Sequence, residues 1–271
     1  MTVSTIAFIG GGNMASAIAG GLVKAGWPAA SLLVVEPDGA QRERLQRELG
    51  VRTHVQAGPP LQAAALVVWA VKPQAFVAAA APCAAHVGAA LQLSVMAGIR
   101  SEAIASATGS DRVVRAMPNT PALIGRGCTG LYARAAIDGA DRALVEQVLQ
   151  PTGQTLWFDA ESDLDAVTAL SGSGPAYVFY FVEAMTEAAL QMGLTAEAGR
   201  RLALSTFAGA TALAEQSTEP PALLRERVTS KGGTTHAAIT MLEAGGVKQA
   251  FVAAILAAQR RARELGDEYG R

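Results

Sequence analysis

The 271-residue sequence predicts an α/β fold, in which a doubly wound, mostly parallel sheet is followed by an all-helical half. Two observations lead to this prediction. In the first half, short apolar runs with strand character alternate with helical patterns, which is typical of βαβ units. After Phe158 the strand pattern ends, and long alanine-rich segments with helical periodicity follow. We therefore expect two domains, residues 1–160 and residues 161–271.

Strands are predicted where short apolar runs are bounded by turn residues. The candidate strands are residues 5–9, 32–35, 66–71, 91–96, 112–116 and 155–158, with a hairpin-like segment over residues 127–134. Because helical patterns separate most of these runs, we expect the strands to lie mostly parallel in one sheet.

Helices are predicted from apolar residues at helical spacing and from the residues that begin or end them. In the first helix, apolar residues recur from Ala15 to Val23, and Gly26 is placed to end it. Asp38 is a candidate amino-terminal cap for a charged helix over residues 39–49. The other predicted helices are residues 138–149, 175–192, 196–215 and 235–265, the last with a break at Gly245 and Gly246.

The net charge and the few cysteines and histidines of the chain argue against some classes of ligand. The net charge is -1, so the bulk electrostatics favour neither nucleic acid nor an anionic membrane as a partner. Cys83 and Cys128, with three histidines, form neither a disulfide framework nor a spaced metal site, and we expect no metal.

The amino terminus lacks the positive region of a secretory signal, and the apolar runs over residues 61–71 and 75–85 are too short to span a bilayer. We therefore expect a cytoplasmic protein with small-molecule ligands and no nucleic-acid or membrane partner.

A glycine-rich turn joins the first predicted strand to the first predicted helix. It comprises Gly10, Gly11, Gly12, Asn13, Met14 and Ala15 and fits the pattern G-x-G-x-x-A. In Rossmann-type dinucleotide sites the first glycine allows the tight turn, the second lets the backbone approach the pyrophosphate, and the small third residue lets helix and strand pack closely. The pyrophosphate lies at the helix amino terminus, where free N–H groups favour negative charge. Such a turn can also be a tight connection without a ligand, but its position between strand and helix favours a dinucleotide.

Glu36 ends the second predicted strand. A carboxylate at this point can accept hydrogen bonds from the adenosine ribose hydroxyls, which favours NAD and repels the 2′-phosphate of NADP. The alternative is an exposed residue at a strand end. Arg42 or Arg44 could still meet a phosphate, so the choice between NAD and NADP stays open.

Two further loops follow predicted strands and are expected at the edge of the sheet where open α/β sheets bind ligands. The first contains Ala70, Val71, Lys72 and Pro73. Lys72 is either close to the coenzyme or substrate, or a surface lysine. The second places Asn119 between two prolines, which either presents a polar group rigidly or forms only a stiff turn.

Two segments rich in small residues lie in the helical half. Residues 170–177 place a loop of serines and glycines before a proline at a helix start. Residues 228–236 place two glycines and several hydroxyl side chains before another helix, where free N–H groups can form a nest for a carboxylate. The expected participants are the main chain of Gly232, Gly233 and Thr234 and the side chains of Ser230 and Thr235. An ordinary capped helix start is the alternative.

Five segments together resemble the pyrroline-5-carboxylate reductase family, whose members catalyse the last step of proline synthesis. The segments are FIGGGNMASAI, AVKPQ, MPNTP, LSGSGPAYVF and VTSKGGTTHAAITMLE, in family order along nearly the whole chain. The last is far more specific than the glycine turn. The resemblance implies that NAD(P)H reduces the C=N bond of 1-pyrroline-5-carboxylate to give L-proline.

The resemblance also implies roles for particular residues. Thr235 would be the catalytic residue and would hydrogen-bond the ring nitrogen. The substrate carboxylate would be surrounded by Ser230, Gly232, Gly233 and Thr234. The nicotinamide would be bordered by Ala70, Lys72 and Pro73. The helical half would be a substrate-binding and dimerisation domain that interlocks with a second copy in a homo-oligomer.

One position departs from the family's common pattern. Family members often carry serine, asparagine or a nearby arginine where this chain has Glu36. The resemblance therefore implies NADP as the coenzyme, whereas the carboxylate favours NAD.

Two other classes of protein are the alternatives. A β-hydroxyacid dehydrogenase shares the start of the glycine turn and a helical second domain, but it would use a catalytic lysine borne on a helix. The helical half offers only Lys231 and Lys248, neither in such a context. The second alternative is a non-catalytic NAD(P)-binding dimer.

Overall fold

A computed structural model describes residues 4–269 and contains the predicted α/β sheet followed by helices. The strands are β1 (Thr5–Ile9), β2 (Leu32–Val35), β3 (Arg52–His54), β4 (Ala64–Trp69), β5 (Leu91–Ser94), β6 (Val113–Met117), β7 (Gly127–Ala133) and β8 (Gly153–Phe158). They form one sheet in the order β3-β2-β1-β4-β5-β6-β7-β8. Neighbouring strands are parallel except β6 and β7, which are antiparallel. The chain leaves β1 towards β2 and later crosses to β4 on the other side, so the crevice for a ligand lies at the carboxyl ends of β1 and β4.

Six of the predicted strands are confirmed, with ends within two residues of those expected. The hairpin expected over residues 127–134 is wrong. That segment is the single strand β7, which pairs with β6 on one side and with β8 on the other. β3 was not predicted, because its three residues include the exposed polar side chains of Arg52 and His54 and form no apolar run.

Helices cover both faces of the sheet. They are α1 (Asn13–Lys24), α2 (Gly39–Leu49), α3 (Phe76–Ala80), α4 (Ala84–Val87), α5 (Ser101–Thr108), α6 (Gly139–Leu149) and α7 (Asp163–Val167), and a π-helical turn follows over Thr168–Gly172. α1, α2 and α6 confirm predicted helices. Asp38 caps α2 as expected, since its carboxylate accepts a bond from Ala40 N at 3.0 Å. The short helices α3, α4 and α5 were not predicted.

Two buried clusters explain why the sheet is doubly wound. Successive residues of a strand point to opposite faces, so β1 contributes to both clusters. Ile6 and Phe8 lie among side chains of α1, α2 and α6 on one face. Ala7 and Ile9 lie among side chains of α3, α4 and α5 on the other. This burial holds β1 at the centre of the sheet and so places the glycine turn at its carboxyl edge.

The chain packs as two compact units. Residues up to Ser173 and those from Ala258 onward form the unit that contains the sheet, and Gly174–Ala257 form a helical unit. The remaining helices are α8 (Gly174–Gln191), α9 (Ala196–Gln216), α10 (Pro221–Arg227), α11 (Thr234–Ala244) and α12 (Val247–Tyr269). Three predicted helical segments are confirmed, the break at Gly245 and Gly246 is a bend of 55° between α11 and α12, and α10 was not predicted.

Within the helical unit, α8 and α9 approach closely. A Cβ at Gly199 would lie 2.6 Å from the Cβ of Ala189, so only glycine fits at this contact. Elsewhere in the unit large apolar side chains are left exposed, among them Phe179, Leu202, Leu213 and Met241. A single copy of the chain therefore does not cover the apolar surface of these helices.

A helix that crosses a bilayer must be both long and apolar. Within residues 4–269 no single helix meets both criteria, and the bent pair of α11 and α12 meets them only when the two are taken together.

Candidate functional site

The glycine turn leads from β1 into α1, and its three glycines differ in what surrounds them. Gly10 has a φ of +95°, which favours glycine, and a Cβ there would lie 2.8 Å from Ala70 O. A Cβ at Gly11 would lie 2.8 Å from Leu45 Cδ1. A Cβ at Gly12 would meet no atom within 4 Å. The chain's own packing thus requires the first two glycines, whereas the space beside Gly12 is open to a ligand.

The amino terminus of α1 can bind an anion. Gly12 is the residue before the helix, and no side chain caps the helix there. Asn13 is exposed, Met14 is half-buried, and Ala15 is buried against the sheet, as expected of the small residue in the turn. The N–H groups of the first helical turn have no partner within the helix and favour negative charge. This end of α1 therefore suits a phosphate group.

Glu36 lies directly after β2, and two main-chain donors hold its carboxylate. Gly11 N donates to Oε2 at 2.8 Å, and Asp38 N donates to Oε1 at 2.9 Å. Each oxygen can still accept a further hydrogen bond. The carboxylate is thus oriented beside the glycine turn, at the position where the sequence predicted a ribose contact.

The two arginines that could meet a phosphate are bonded within the chain. Arg42 donates to the main-chain oxygens of Glu36 and Pro37 at 2.8 and 2.7 Å. Arg44 approaches Ser16 Oγ at 3.4 Å. Neither guanidinium group bonds to the Glu36 carboxylate, so the two main-chain bonds leave it able to accept further hydrogen bonds from a ligand.

The loop after β4 lies beside the glycine turn. Ala70 N donates to the last residue of β1 at 2.9 Å, and a Cβ at Gly10 would lie 3.0 Å from Val71 Cγ1. The structure thus brings Gly10, Ala70 and Val71 together. Lys72 is exposed and forms no ion pair with any of residues 4–269, and Pro73 begins a short 3₁₀ turn. Of the predicted residues in this loop, Lys72 has the freedom to contact a ligand.

Asn119 follows β6, which is parallel to β5 and so ends at the same edge of the sheet. Its side chain is half-buried and bonds to Cys128 in β7 and to Ser171 in the π-helical turn. The sequence did not predict these bonds, because 52 residues separate Asn119 from Ser171.

The turn before α11 belongs to the helical unit. Gly232 has a φ of +75°, and Gly233 N donates to Ser230 O at 2.9 Å. Gly233 precedes α11, and no side chain caps that helix. Of the N–H groups expected in the nest, that of Gly233 is used by the turn, while those of Gly232 and Thr234 have no protein acceptor within residues 4–269. An open helix start, and not a capped one, therefore follows the turn.

The hydroxyl groups around this turn are also free. Thr235 is half-buried in the first turn of α11, and its Oγ1 has no hydrogen bond to any of residues 4–269. The hydroxyl groups of Ser230 and Thr234, which are exposed, likewise have no hydrogen bond to any of residues 4–269. Thr240, further along α11, instead donates to His236 O at 2.8 Å. The turn and the first residues of α11 thus present N–H and hydroxyl groups that suit a carboxylate and a second polar atom.

A buried ion pair lies in the sheet unit, and sequence reasoning missed it. The side chain of Arg115 in β6 is 4% exposed, and its Nη1 lies 2.8 Å from Glu161 Oε1. Ser101 donates to the same carboxylate from its N at 2.7 Å and its Oγ at 2.6 Å. The pair therefore ties β6 to the start of α5 and to the segment before α7.

Burial and hydrogen bonding act in opposite directions on these two groups. Burial lowers the pKa of Arg115, and the charge of Glu161 opposes that shift. Burial raises the pKa of Glu161, but the bonds from Ser101 and Arg115 together hold that pKa below its ordinary value. Glu161 is therefore ionised at neutral pH.

Within residues 4–269 no group of three or more histidine, cysteine, aspartate or glutamate side chains is arranged to hold a metal ion. Cys83 is buried, and burial raises the pKa of its thiol to about 11, so the nucleophilic thiolate is disfavoured. What the described residues provide are helix starts without a side-chain cap, an oriented carboxylate and free hydroxyls. Such groups bind and orient reactants that carry their own reactive atoms.

Two protein families match the chain in sequence. Residues 161–265 match the family described as pyrroline-5-carboxylate reductase dimerisation. Residues 5–98 match the family described as NADP oxidoreductase, coenzyme F420-dependent. The chain is also 42% identical over 272 residues to pyrroline-5-carboxylate reductase of Pseudomonas aeruginosa, with all of both chains covered.

Solved structures agree with this likeness over the full length. A pyrroline-5-carboxylate reductase from Coxiella burnetii has a TM-score of 0.91 and 36% identity, covering 97% of this chain and 98% of that one. Plasmodium falciparum pyrroline carboxylate reductase with NADP bound has a TM-score of 0.87 and 26% identity, covering 98% of this chain and 99% of that one.

Proposed function

The chain belongs to the pyrroline-5-carboxylate reductase family, and from that membership we infer that it reduces the C=N bond of 1-pyrroline-5-carboxylate with NAD(P)H to give proline. The observation that carries this function is the 42% identity over the whole chain, which includes both the glycine turn and the turn before α11. The test is oxidation of NADH or NADPH by the purified protein when 1-pyrroline-5-carboxylate is added, with proline identified as the product. Absence of both changes would reject the function.

The residues at the carboxyl edge of the sheet fit a dinucleotide. The space beside Gly12 would be filled by a Cβ, and the uncapped start of α1 offers N–H groups to a pyrophosphate. We assign coenzyme binding to Gly10, Gly12, Asn13, Met14, Ala15, Glu36, Ala70, Val71, Lys72 and Pro73. The sequence also predicted Asn119 as a coenzyme-binding residue, but its side-chain amide bonds to Ser171 and Cys128. Ala15 and Gly10 act through the shape of the turn, and Glu36 acts through its carboxylate.

The chain's own groups bind and orient the substrate. When bound, the reduced coenzyme supplies the hydride. The turn before α11 holds the substrate carboxylate through Ser230, Gly232, Gly233 and Thr234. The hydroxyl of Thr235 bonds to the ring nitrogen and keeps the C=N bond oriented as the protonated imine becomes a neutral amine. A protonated imine is already an electrophile, so orientation and exclusion of water are the protein's main contributions.

Gly12→Ala tests the coenzyme site without disturbing the fold. The backbone at Gly12 is extended (φ −68°, ψ −167°) and an added Cβ meets no protein atom within 4 Å, so thermal stability should not change. The methyl group should occupy space needed by the pyrophosphate, and the Kd for reduced coenzyme should rise by about tenfold or more. Titration of coenzyme fluorescence measures this. Gly139→Ala is the control, because that glycine is the first residue of α6 and also has open space around it. An unchanged Kd in Gly12→Ala would contradict the assignment.

Glu36→Ser tests the choice of coenzyme. An oriented carboxylate repels a 2′-phosphate and accepts bonds from a ribose diol, so we propose that NADH is used better than its place in the family implies. In the variant the ratio of kcat/KM with NADPH to that with NADH should rise by about tenfold or more. Asp38→Ser is the control, because it removes a nearby carboxylate that caps α2. If the ratio does not move in Glu36→Ser, the carboxylate is not at the ribose.

We also propose that the chain forms a homo-oligomer and that its two domains have separate roles. The exposed apolar side chains of α8, α9 and α11 and the match to a dimerisation family support a homo-oligomer. We assign coenzyme binding to residues 1–160 and substrate binding and dimerisation to residues 161–271. A cytoplasmic location stays a prediction from the sequence.

A further inference from the structure

Asn119 occupies a position where an asparagine usually caps a helix, but its side chain bonds elsewhere. It precedes the 3₁₀ turn Thr120–Ile124, and its side chain makes no capping hydrogen bond to that turn. Instead, Asn119 Oδ1 accepts from Cys128 N at 3.0 Å. Its Nδ2 donates to Ser171 O at 3.2 Å and to Ser171 Oγ at 3.1 Å. The amide therefore joins three separate parts of the chain.

Ser171 closes this set of hydrogen bonds. Its hydroxyl accepts from Asn119 and donates to Cys128 O at 3.0 Å. The two side chains and the main chain of Cys128 thus form a ring of bonds. Asn119 Nδ2 donates to both Ser171 O and Ser171 Oγ, so the amide nitrogen is directed at Ser171 and not at a bound molecule.

The segment that the ring holds has an unusual backbone. Thr168–Gly172 form a π-helical turn, a rare conformation that is frequent at functional sites. A second contact from the end of β6 restrains the same turn, because a Cβ at Gly172 would lie 2.7 Å from Met117 Cε. The end of β6 therefore packs against the turn by apolar contact, and the loop after β6 bonds to it through Asn119.

We propose that Asn119 and Ser171 are positioning residues for the reduction, which hold the main chain of residues 168–173 as a rigid wall at the carboxyl edge of the sheet. The proposal rests on the proposed function, because that edge is where the coenzyme reacts. It assigns Asn119 a different role from a side-chain ligand of the coenzyme. Loss of the ring should then slow turnover and leave coenzyme affinity unchanged.

The test compares Asn119→Ala, Ser171→Ala and the double variant with the wild-type enzyme. Asn119→Ala should lower kcat by about 10²-fold, the size of a lost positioning contact, and Ser171→Ala should lower it in the same direction. The Kd for reduced coenzyme should not change in either. The double variant should be no slower than Asn119→Ala alone, because both substitutions open the same ring. Ser171→Thr keeps the hydroxyl and should restore turnover.

Two measurements separate positioning from other roles. Amide hydrogen exchange over residues 168–173 should be faster in Asn119→Ala and Ser171→Ala than in the wild type, because the turn loses its restraint. Ser31→Ala is the matched control: it removes a hydroxyl that donates to Pro28 O at 2.7 Å before β2, away from this edge, and should keep wild-type turnover.

Three results would overturn the proposal. A rise in coenzyme Kd in Asn119→Ala but not in Ser171→Ala would make Asn119 a direct ligand. Unchanged kcat in folded Asn119→Ala and Ser171→Ala enzyme would leave the ring a purely structural feature. Unchanged hydrogen exchange over residues 168–173 would mean that the ring does not hold the turn. If the proposed function itself is wrong, the wild-type enzyme will not reduce 1-pyrroline-5-carboxylate, which none of these three results requires. Hydrogen exchange would then still show whether the ring holds the turn.

Discussion

Replacing Thr235 with alanine should lower kcat by about 10²-fold while the Kd for reduced coenzyme stays unchanged. The hydroxyl of Thr235 has no bond to any of residues 4–269, so it is available to a ligand, and its loss breaks no hydrogen bond within the described chain. The turnover should fall because the ring nitrogen is no longer aligned. Steady-state kinetics with 1-pyrroline-5-carboxylate and a fluorescence titration with coenzyme measure the two quantities.

Two variants make this result specific. Thr240→Ala removes a hydroxyl from the same helix, but that hydroxyl bonds to His236 O and is not free for a ligand, so turnover should stay at the wild-type level. Thr235→Ser keeps a hydroxyl and should retain most of the activity. If Thr235→Ala turns over as fast as the wild-type enzyme, the role assigned to Thr235 is wrong.

Replacing Glu161 with glutamine should markedly lower the free energy of unfolding. It leaves the charge of Arg115, whose side chain is 4% exposed, without its paired carboxylate. Breaking a buried ion pair in this way costs about 3–5 kcal/mol, which should lower the midpoint of thermal unfolding by on the order of 10 °C. Differential scanning calorimetry of the two proteins measures the change.

Glu48→Gln is the matched control for this substitution. Glu48 pairs with Arg47 on the surface, where both side chains are more than half exposed, and such pairs contribute little. The control should therefore unfold at the wild-type temperature. Equal midpoints for Glu161→Gln and Glu48→Gln would mean that the buried pair does not stabilise the fold.

The same carboxylate predicts a dependence of stability on pH. The pKa of Glu161 is lowered in the folded protein from its ordinary value of 4.5, so its contribution is complete above that value and is lost as the pH falls through the lower folded pKa. The difference in unfolding midpoint between wild type and Glu161→Gln should therefore shrink in acid below that range. A difference that is constant with pH would show that the ionised carboxylate is not responsible.

Local patterns were enough to predict much of the fold and part of the candidate site. The strand Thr5–Ile9, the glycine turn and the helix after it depend on neighbouring residues and on periodicity, and all three were confirmed. The helix over Gly39–Leu49 and its cap Asp38 were predicted for the same reason. The short strand Arg52–His54 was missed because polar residues there carry no apolar pattern.

The sequence by itself determined the doubly wound fold, the break between the last two helices and, through its motifs, the family. It also named Glu36 and Asn119, but it could not say what holds them. Only the tertiary structure decided that Gly11 N orients the Glu36 carboxylate, that Asn119 bonds to Ser171, and that Arg115 is buried against Glu161. These contacts join residues 25 to 52 positions apart, and they depend on how the sheet brings distant loops to one edge. Local propensity depends only on residues that are near in the sequence. It therefore cannot indicate which distant residue will become a bonding partner.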